Sequence, residues 1–379
     1  RGKISEGGGV FHRNTKNIPV SPTLRKWLGI RYRSVEGETL INYLLTTPVD
    51  LFWLGGIGTY VKGSMEKHED AGDRNNDNVR VDANEIRALV VGEGANLGFT
   101  QKARIEYSLN GGKINTDAID NSAGVDISDH EVNLKILLYG LQTKDIISDF
   151  QELFTSLAND VCRTVLANNY NQGLCLSLDL HRCNKYPERF LELADHLESA
   201  GLLDRAVESF PRFKEVNERQ GQKLTRPELA VLMAASKIQL TELIMERQSF
   251  VTAEFCELYL QSYFPEQIKE KYNEFLFGHP LANNIKATYI SNKIINQTGC
   301  LFLRLVVETG AKDIIDCVAA YLTFDRVLSG YSLRQDIFEL DNTVDAEKQY
   351  SLLIQFENLL AGFCRWSLLH NKKILSFFN

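Results

Sequence analysis

Between Val90 and Glu131 the chain reads VVGEGANLGFTQKARIEYSLNGGKINTDAIDNSAGVDISDHE. Two carboxamides stand among small residues there, Asn96 after Gly94-Ala95 and Asn121 before Ser122-Ala123-Gly124. Asn is a poor residue for the interior of a strand or helix. Its carboxamide offers a donor and an acceptor together, suited to a ribose hydroxyl or a nicotinamide amide. The plainer reading is Asn in turns or left-handed backbone. A third small-residue stretch, Gly55-Gly56-Ile57-Gly58-Thr59, follows an apolar run. Glycine there lets a ligand come close to the backbone, or simply makes a tight turn. Three such stretches, each after an expected strand, favour a ligand crevice at one sheet edge.

Other arrangements carry less. Gly7-Gly8-Gly9 lacks the Gly-Lys-Ser/Thr ending of a phosphate loop and reads as a flexible turn. His130-Glu131 resembles half of a zinc helix motif, but Leu134 stands where the second ligand belongs. Asp126, Ser128 and His130 have triad residue types, yet triads assemble from distant segments. Ser128-Asp129-His130-Glu131 fits a capping box, and the helix N-terminus it predicts would also attract an anion.

The elements expected to position these residues are short strands at 48–54, 88–92 and 113–116, each apolar or β-branched in part and bounded by turn residues. Helical segments are expected near Asp82–Arg87 and Gln101–Leu109, the latter turning Ala103, Ile105 and Tyr107 to a sheet. Alternation of this kind predicts parallel βα units. The polar run Lys62–Asn78 reads as a solvated connector. After about residue 140 apolar positions recur at helical spacing in Ile146–Tyr170, Phe190–Ser199, Pro227–Glu246, Glu254–Tyr263, Pro280–Gln297 and Ala311–Leu328. Thr225-Arg226-Pro227-Glu228 looks like a helix start. The expected fold class is α/β plus α, in two domains, 1–140 and 141–379.

The 379 residues include 44% hydrophobic and 24% charged ones, a globular balance. A net charge of −7 argues against a nucleic-acid partner. Seven cysteines without Cys-x-x-Cys spacing predict no metal site and reduced thiols, hence a cytoplasmic protein. No long uncharged apolar run points to a membrane. The chain begins Arg1-Gly2-Lys3, without Met, and is expected to be a piece of something longer.

At the level of whole motifs, GEGAN with Thr100 four residues on, then NSAGV with Ser128 three after Val125, resembles the nicotinamide-domain ending of glutamate dehydrogenases. WLGGIGTYVK, GDRNND, GEGANLGFTQKARIEY, INTDAIDNSAGVDISDHEVNLKILL and LTRPELAVLMAASKI are similar to the large bacterial NAD-dependent subgroup, and the resemblance covers essentially the whole chain as a C-terminal segment. It implies the C-terminal half of a Rossmann-like nicotinamide domain, NAD-binding and catalytic, followed by an all-helical domain. It implies NAD as cofactor, with Asn96 and Asn121 on the nicotinamide-ribose side and Gly55, Gly56, Gly94 and Ala95 at the strand ends behind it. Val125 and Ser128 would line the substrate pocket, the Ser toward a glutamate carboxylate. Ser122-Ala123 departs from the Ala-Gly of the compact enzymes, which bears on how closely a ligand approaches. The implied reaction oxidises L-glutamate to 2-oxoglutarate and ammonia with NADH formed, in a homo-oligomer. The family's catalytic Lys and Asp and its Gly-rich loop would lie upstream, so the segment alone is expected to be inactive and its own catalytic residues stay unassigned. The alternative is a non-catalytic remnant or split subunit whose helices assemble or regulate.

Overall fold

The computed structural model describes residues 4, 8–219, 221, 223–311 and 313–370. Gly7 of the expected Gly7–Gly9 turn lies outside them. The chain divides into two compact units, one reaching Ser122 and including Thr225–Pro227, the other made of Ala123–Leu224 and the residues from Glu228 on.

In the first unit, strands β1 (Leu51–Leu54), β2 (Val61–Lys62), β3 (Val81–Asp82) and β4 (Val90–Glu93) pair in parallel, β1 with β4 and β2 with β3. Ile18–Pro19 and Ser34–Val35 form a small antiparallel pair. The expected strand at 113–116 shrinks to one parallel bridge between Val90 and Lys113. Its neighbours explain this: Gly111 and Gly112 precede it, and Asn115 turns its side chain to Asp120 in the helix that follows. The helix expected near Asp82–Arg87 is only a 3-10 turn, Ala83–Glu85. Helix α1 (Gln101–Leu109) forms as the pattern predicts, capped by the Thr100 hydroxyl, which accepts from the Ala103 N–H at 3.1 Å.

One face of the β1–β4 pair packs on a core of Leu54, Val61, Val91, Phe99, Ala103 and Tyr107, to which the β2–β3 pair contributes Val61. The other presents Leu51, Trp53 and Val90 at 58%, 57% and 37% exposure, as strand alternation requires. The run Lys62–Asn78 is largely exposed, as a surface connector is, but it is anchored at two points. Lys62 and Asn76 are buried, and Lys62 pairs with Asp82.

The second unit is helical. Its principal helices are α2 (Ser122–Thr143), α3 (Phe150–Lys185), α4 (Pro187–Ser199), α5 (Arg226–Glu246), α6 (Glu257–Tyr263), α7 (Ala282–Thr298), α8 (Ile314–Val327), α9 (Gly330–Phe338) and α10 (Ala346–Leu369). Helix α3 starts four residues later than the apolar pattern because Asp149 caps it, accepting from the Glu152 N–H at 2.8 Å. Helix α5 begins directly after Thr225. Each of the six expected helical spans has its counterpart here.

Several buried charges in this unit are paired. Arg334 of α9 reaches Asp325 at 2.6 Å and Glu357 at 2.5 Å, tying α8 and α10 together. All seven cysteines are free thiols, and only Cys162 is exposed. Among the described residues no helix is long and apolar enough to cross a membrane.

Candidate functional site

Leu54 and Glu93 are register partners, so Gly55 and Gly94 leave two adjacent parallel strands at the same edge. The backbone at Gly94 does make a close approach, but to a side chain of this chain. A Cβ there would stand 2.4 Å from the Trp53 ring, and one at Gly92 2.5 Å from it. The two glycines admit the indole. Gly55 and Gly56 are exposed, and nothing lies within 4 Å of a Cβ built on Gly56. Ala95 is buried.

The loop after β4 is held by charges that the sequence reading passed over. Glu93 is fully buried and accepts from Arg104 Nε at 2.7 Å, Arg104 Nη2 at 3.0 Å and the Phe99 N–H at 3.0 Å. Arg104 also meets Asp117 at 3.0 Å. Burial raises the Glu93 pKa against the Arg104 hydrogen bonds. Burial also works against the Arg104 charge, but the Glu93 carboxylate outweighs it and the Arg104 pKa rises. Asp120 accepts from the Glu93 N–H at 2.9 Å. Asp117 accepts from the Leu97 N–H at 2.8 Å, with Leu97 in left-handed backbone at φ 58°.

These anchors fix Asn96, and the same short helix, Asp117–Asp120, ends at Asn121. The Asn121 backbone N–H donates to the Asp117 carbonyl at 2.8 Å. Its side chain then donates from Nδ2 to Asn96 Oδ1 at 2.9 Å. Among the described residues, Asn96 Nδ2 and Asn121 Oδ1 have no protein partner. The pair therefore offers one donor and one acceptor at an exposed strand-end edge.

The loop after β1 is supported from beneath. Gly58, at φ 131°, has Asn76 Nδ2 2.4 Å from where a Cβ would stand. Asp73 accepts from the Thr59 N–H at 2.9 Å and from Asn76 at 2.6 Å. The Asn76 bond is the largest cause of its lowered pKa. Arg80 donates to the Thr59 carbonyl at 2.9 Å. A polar run with no apolar period gave no sign of this support.

In the helical unit, Ser128 lies inside α2, which is already formed from Ser122. The capping-box reading is therefore wrong, and with it the anion site, since mid-helix amides bond within the helix. Val125, Ser128 and Val132 fall on one exposed stripe by their spacing, with Val125 65% exposed. The opposite side buries His130, Leu134, Leu137 and Leu141. Ser128 and His130 thus sit on different faces and form no triad. His130, 2% exposed, stacks on Tyr263 at 4.1 Å and lies 3.7 Å from Asp126. Among the described residues no group of three or more His, Cys, Asp or Glu is placed to hold a metal ion.

Residues 1–179 match the family model described as bacterial NAD-glutamate dehydrogenase, catalytic domain, and residues 221–377 match glutamate dehydrogenase, C-terminal. The chain is 39% identical over 373 residues to an NAD-specific glutamate dehydrogenase of Pseudomonas aeruginosa, which covers 96% of this chain and 23% of that protein. The protein of the same name from Halomonas elongata is 36% identical over 376 residues, again 96% of this chain and 23% of the relative. That of Mycobacterium tuberculosis is 38% identical over 339 residues, 86% of this chain and 21% of the relative. The chain thus spans less than a quarter of the length of these curated relatives. The two family models fall in order along the chain, and the motifs around Asn96 and Asn121 lie inside the first. The chain belongs to the family of bacterial NAD-glutamate dehydrogenases.

Proposed function

We propose that this chain supplies the nicotinamide-facing edge of an NAD-dependent glutamate dehydrogenase, which oxidises L-glutamate to 2-oxoglutarate and ammonia with formation of NADH. The observation that carries the reading is the Asn96–Asn121 pair, with its free donor and acceptor at the end of two parallel strands. The donor set fits a nicotinamide-ribose: hydroxyls and a carboxamide need such mixed partners. Gly55, Gly56 and the backbone at Gly94 and Ala95 form the floor of that edge. NAD, when bound, supplies the hydride acceptor.

The first unit is then the C-terminal half of a Rossmann-like domain. Its parallel pairing and strand-end loops support this. Asn96 and Asn121 orient the ring, and the Glu93–Arg104–Asp117 network keeps Asn96 in place, so that ordering is complete before a ligand arrives. Val125 and Ser128 line the substrate side, Ser128 with its hydroxyl toward a glutamate carboxylate. The catalytic Lys and Asp are contributed by another stretch of polypeptide, and the working enzyme is a cytoplasmic homo-oligomer. The relatives, all named as enzymes, lend no support to a non-catalytic helical module.

The test is immunodepletion. Antiserum against this chain should remove NAD-linked glutamate oxidation from extracts of its source cells and leave NADP-linked oxidation intact. Retention of the NAD-linked activity after complete depletion would contradict the reading.

A further inference from the structure

The first residues of α5 lie within the first unit, which includes Thr225–Pro227. Arg226 is half-buried there, and its Nε donates to Asn115 Oδ1 at 2.9 Å, across 111 positions of sequence. Asn115 Nδ2 donates in turn to Asp120 Oδ1 at 2.7 Å. The other oxygen of Asp120 accepts from the Glu93 N–H at 2.9 Å. Asn121 follows Asp120 directly, and its Nδ2 donates to Asn96 Oδ1. Hydrogen bonds and one peptide link thus run without a break from the start of α5 to the asparagine pair.

This line has one polarity. A guanidinium only donates and a carboxylate only accepts, so Asn115 must turn its oxygen to Arg226 and its nitrogen to Asp120. A flipped amide would lose both bonds. The short helix Asp117–Asp120 depends on such outside support, because so short a helix is not stable by itself and Thr116 at its start makes no side-chain capping bond. Its first residue, Asp117, accepts from the Leu97 N–H and meets Arg104. Its last, Asp120, is the carboxylate to which Arg226 leads, and Asn121 stands at that end. A second, longer contact joins the same parts: Gln101 Nε2 donates to the Pro227 carbonyl at 3.5 Å, while its Oε1 accepts from Arg104 Nη1 at 3.3 Å.

We propose that Arg226 is a positioning residue for the nicotinamide edge: its Nε–H, acting through Asn115 and Asp120, sets the Asn121 side chain against Asn96. The proposal rests on the reading of that edge as the NAD site. It gives the start of the C-terminal helices a part in cofactor binding, exerted only through the asparagines.

The experiment is an NADH titration of full-chain variants, read beside the side-chain amide resonances of protein carrying isotope-labelled asparagine. Arg226→Met places a methyl where Nε stood and should weaken NADH binding at least about threefold, the worth of one hydrogen bond. Arg226→Gln puts a carboxamide nitrogen at the same place and should restore the parent affinity. Asn115→Ala breaks the line from its other side, should act like Arg226→Met, and carries the test if that variant fails to fold. In an Asn121→Ala background neither change should weaken binding further. Parent affinity in a folded Arg226→Met, or an equal loss in the Asn121→Ala background, overturns the proposal. The Asn121 side-chain resonance, identified by its loss in Asn121→Ala, should shift in Arg226→Met and return in Arg226→Gln. An unmoved resonance in Arg226→Met also overturns it. The resonance keeps the two readings apart: a parent chain that binds no NADH rejects the dinucleotide reading, and the Asn121 resonance still decides whether Arg226 sets the pair.

Discussion

The side-chain amide of Asn121 donates to the side-chain carbonyl of Asn96 at 2.9 Å, joining two loops 25 residues apart in sequence. Each residue is placed by a different part of one network. Leu97, next to Asn96, is held by Asp117, and the Asp117 carbonyl also receives the Asn121 N–H. Disturbing that network should therefore be felt at the Asn pair.

The first consequence concerns the buried ion pair. Arg104→Met leaves the Glu93 carboxyl in the core without its partner, and should cost about 3–5 kcal/mol of stability. Adding Glu93→Gln should recover a substantial part, because the stranded charge is then gone. Urea unfolding of the two variants decides it. A single variant as stable as the parent would show that the pair does not anchor the loop.

The second concerns the two glycines beneath Trp53. Gly94→Ala puts a Cβ 2.4 Å from the indole, so the ring must move. A loss of about 1–3 kcal/mol and a shifted tryptophan emission are expected. Gly56→Ala, in open space, should leave the emission unchanged. If both variants behave alike, the indole does not rest where Gly94 requires.

The third is a pH dependence in the helical unit. Burial lowers the His130 pKa, with Asp126 and Asp129 pulling the other way. The unfolded chain binds the proton first as pH falls, starting near the ordinary histidine value of about 6.5. The stability contributed is complete above that value and is lost as pH falls through the depressed folded value. His279 is lowered by burial too, so it adds a loss of the same sign. Thermal melts of the full chain from about pH 7.5 to about pH 5 should fall more steeply for the parent than for His130→Gln. Parallel curves would remove His130 as a source.

Some of this could be read in the sequence and some could not. The strand cores at 51–54 and 90–93, helix α1 and the helical spans beyond residue 140 show as apolar periodicity, which is set by burial and survives any topology. The Asn pair was visible as two odd residues, though not as partners, because contact across 25 positions has no local signal. Ser128 was misplaced by a local rule: Ser-x-x-Glu matches a capping box, but a helix already running from Ser122 overrides it. Arg104 was passed over because a charged residue on an amphipathic helix ordinarily faces water. Only the packing of Glu93 against it sets it apart.

The most direct measurement is an NADH fluorescence titration of the full chain beside its Asn96→Ala/Asn121→Ala double variant, with circular dichroism as a check on folding. Loss of the two free amide groups should weaken NADH binding at least about tenfold, the worth of one to two hydrogen bonds. An equal affinity in a normally folded double variant would contradict the claim that this edge holds the nicotinamide.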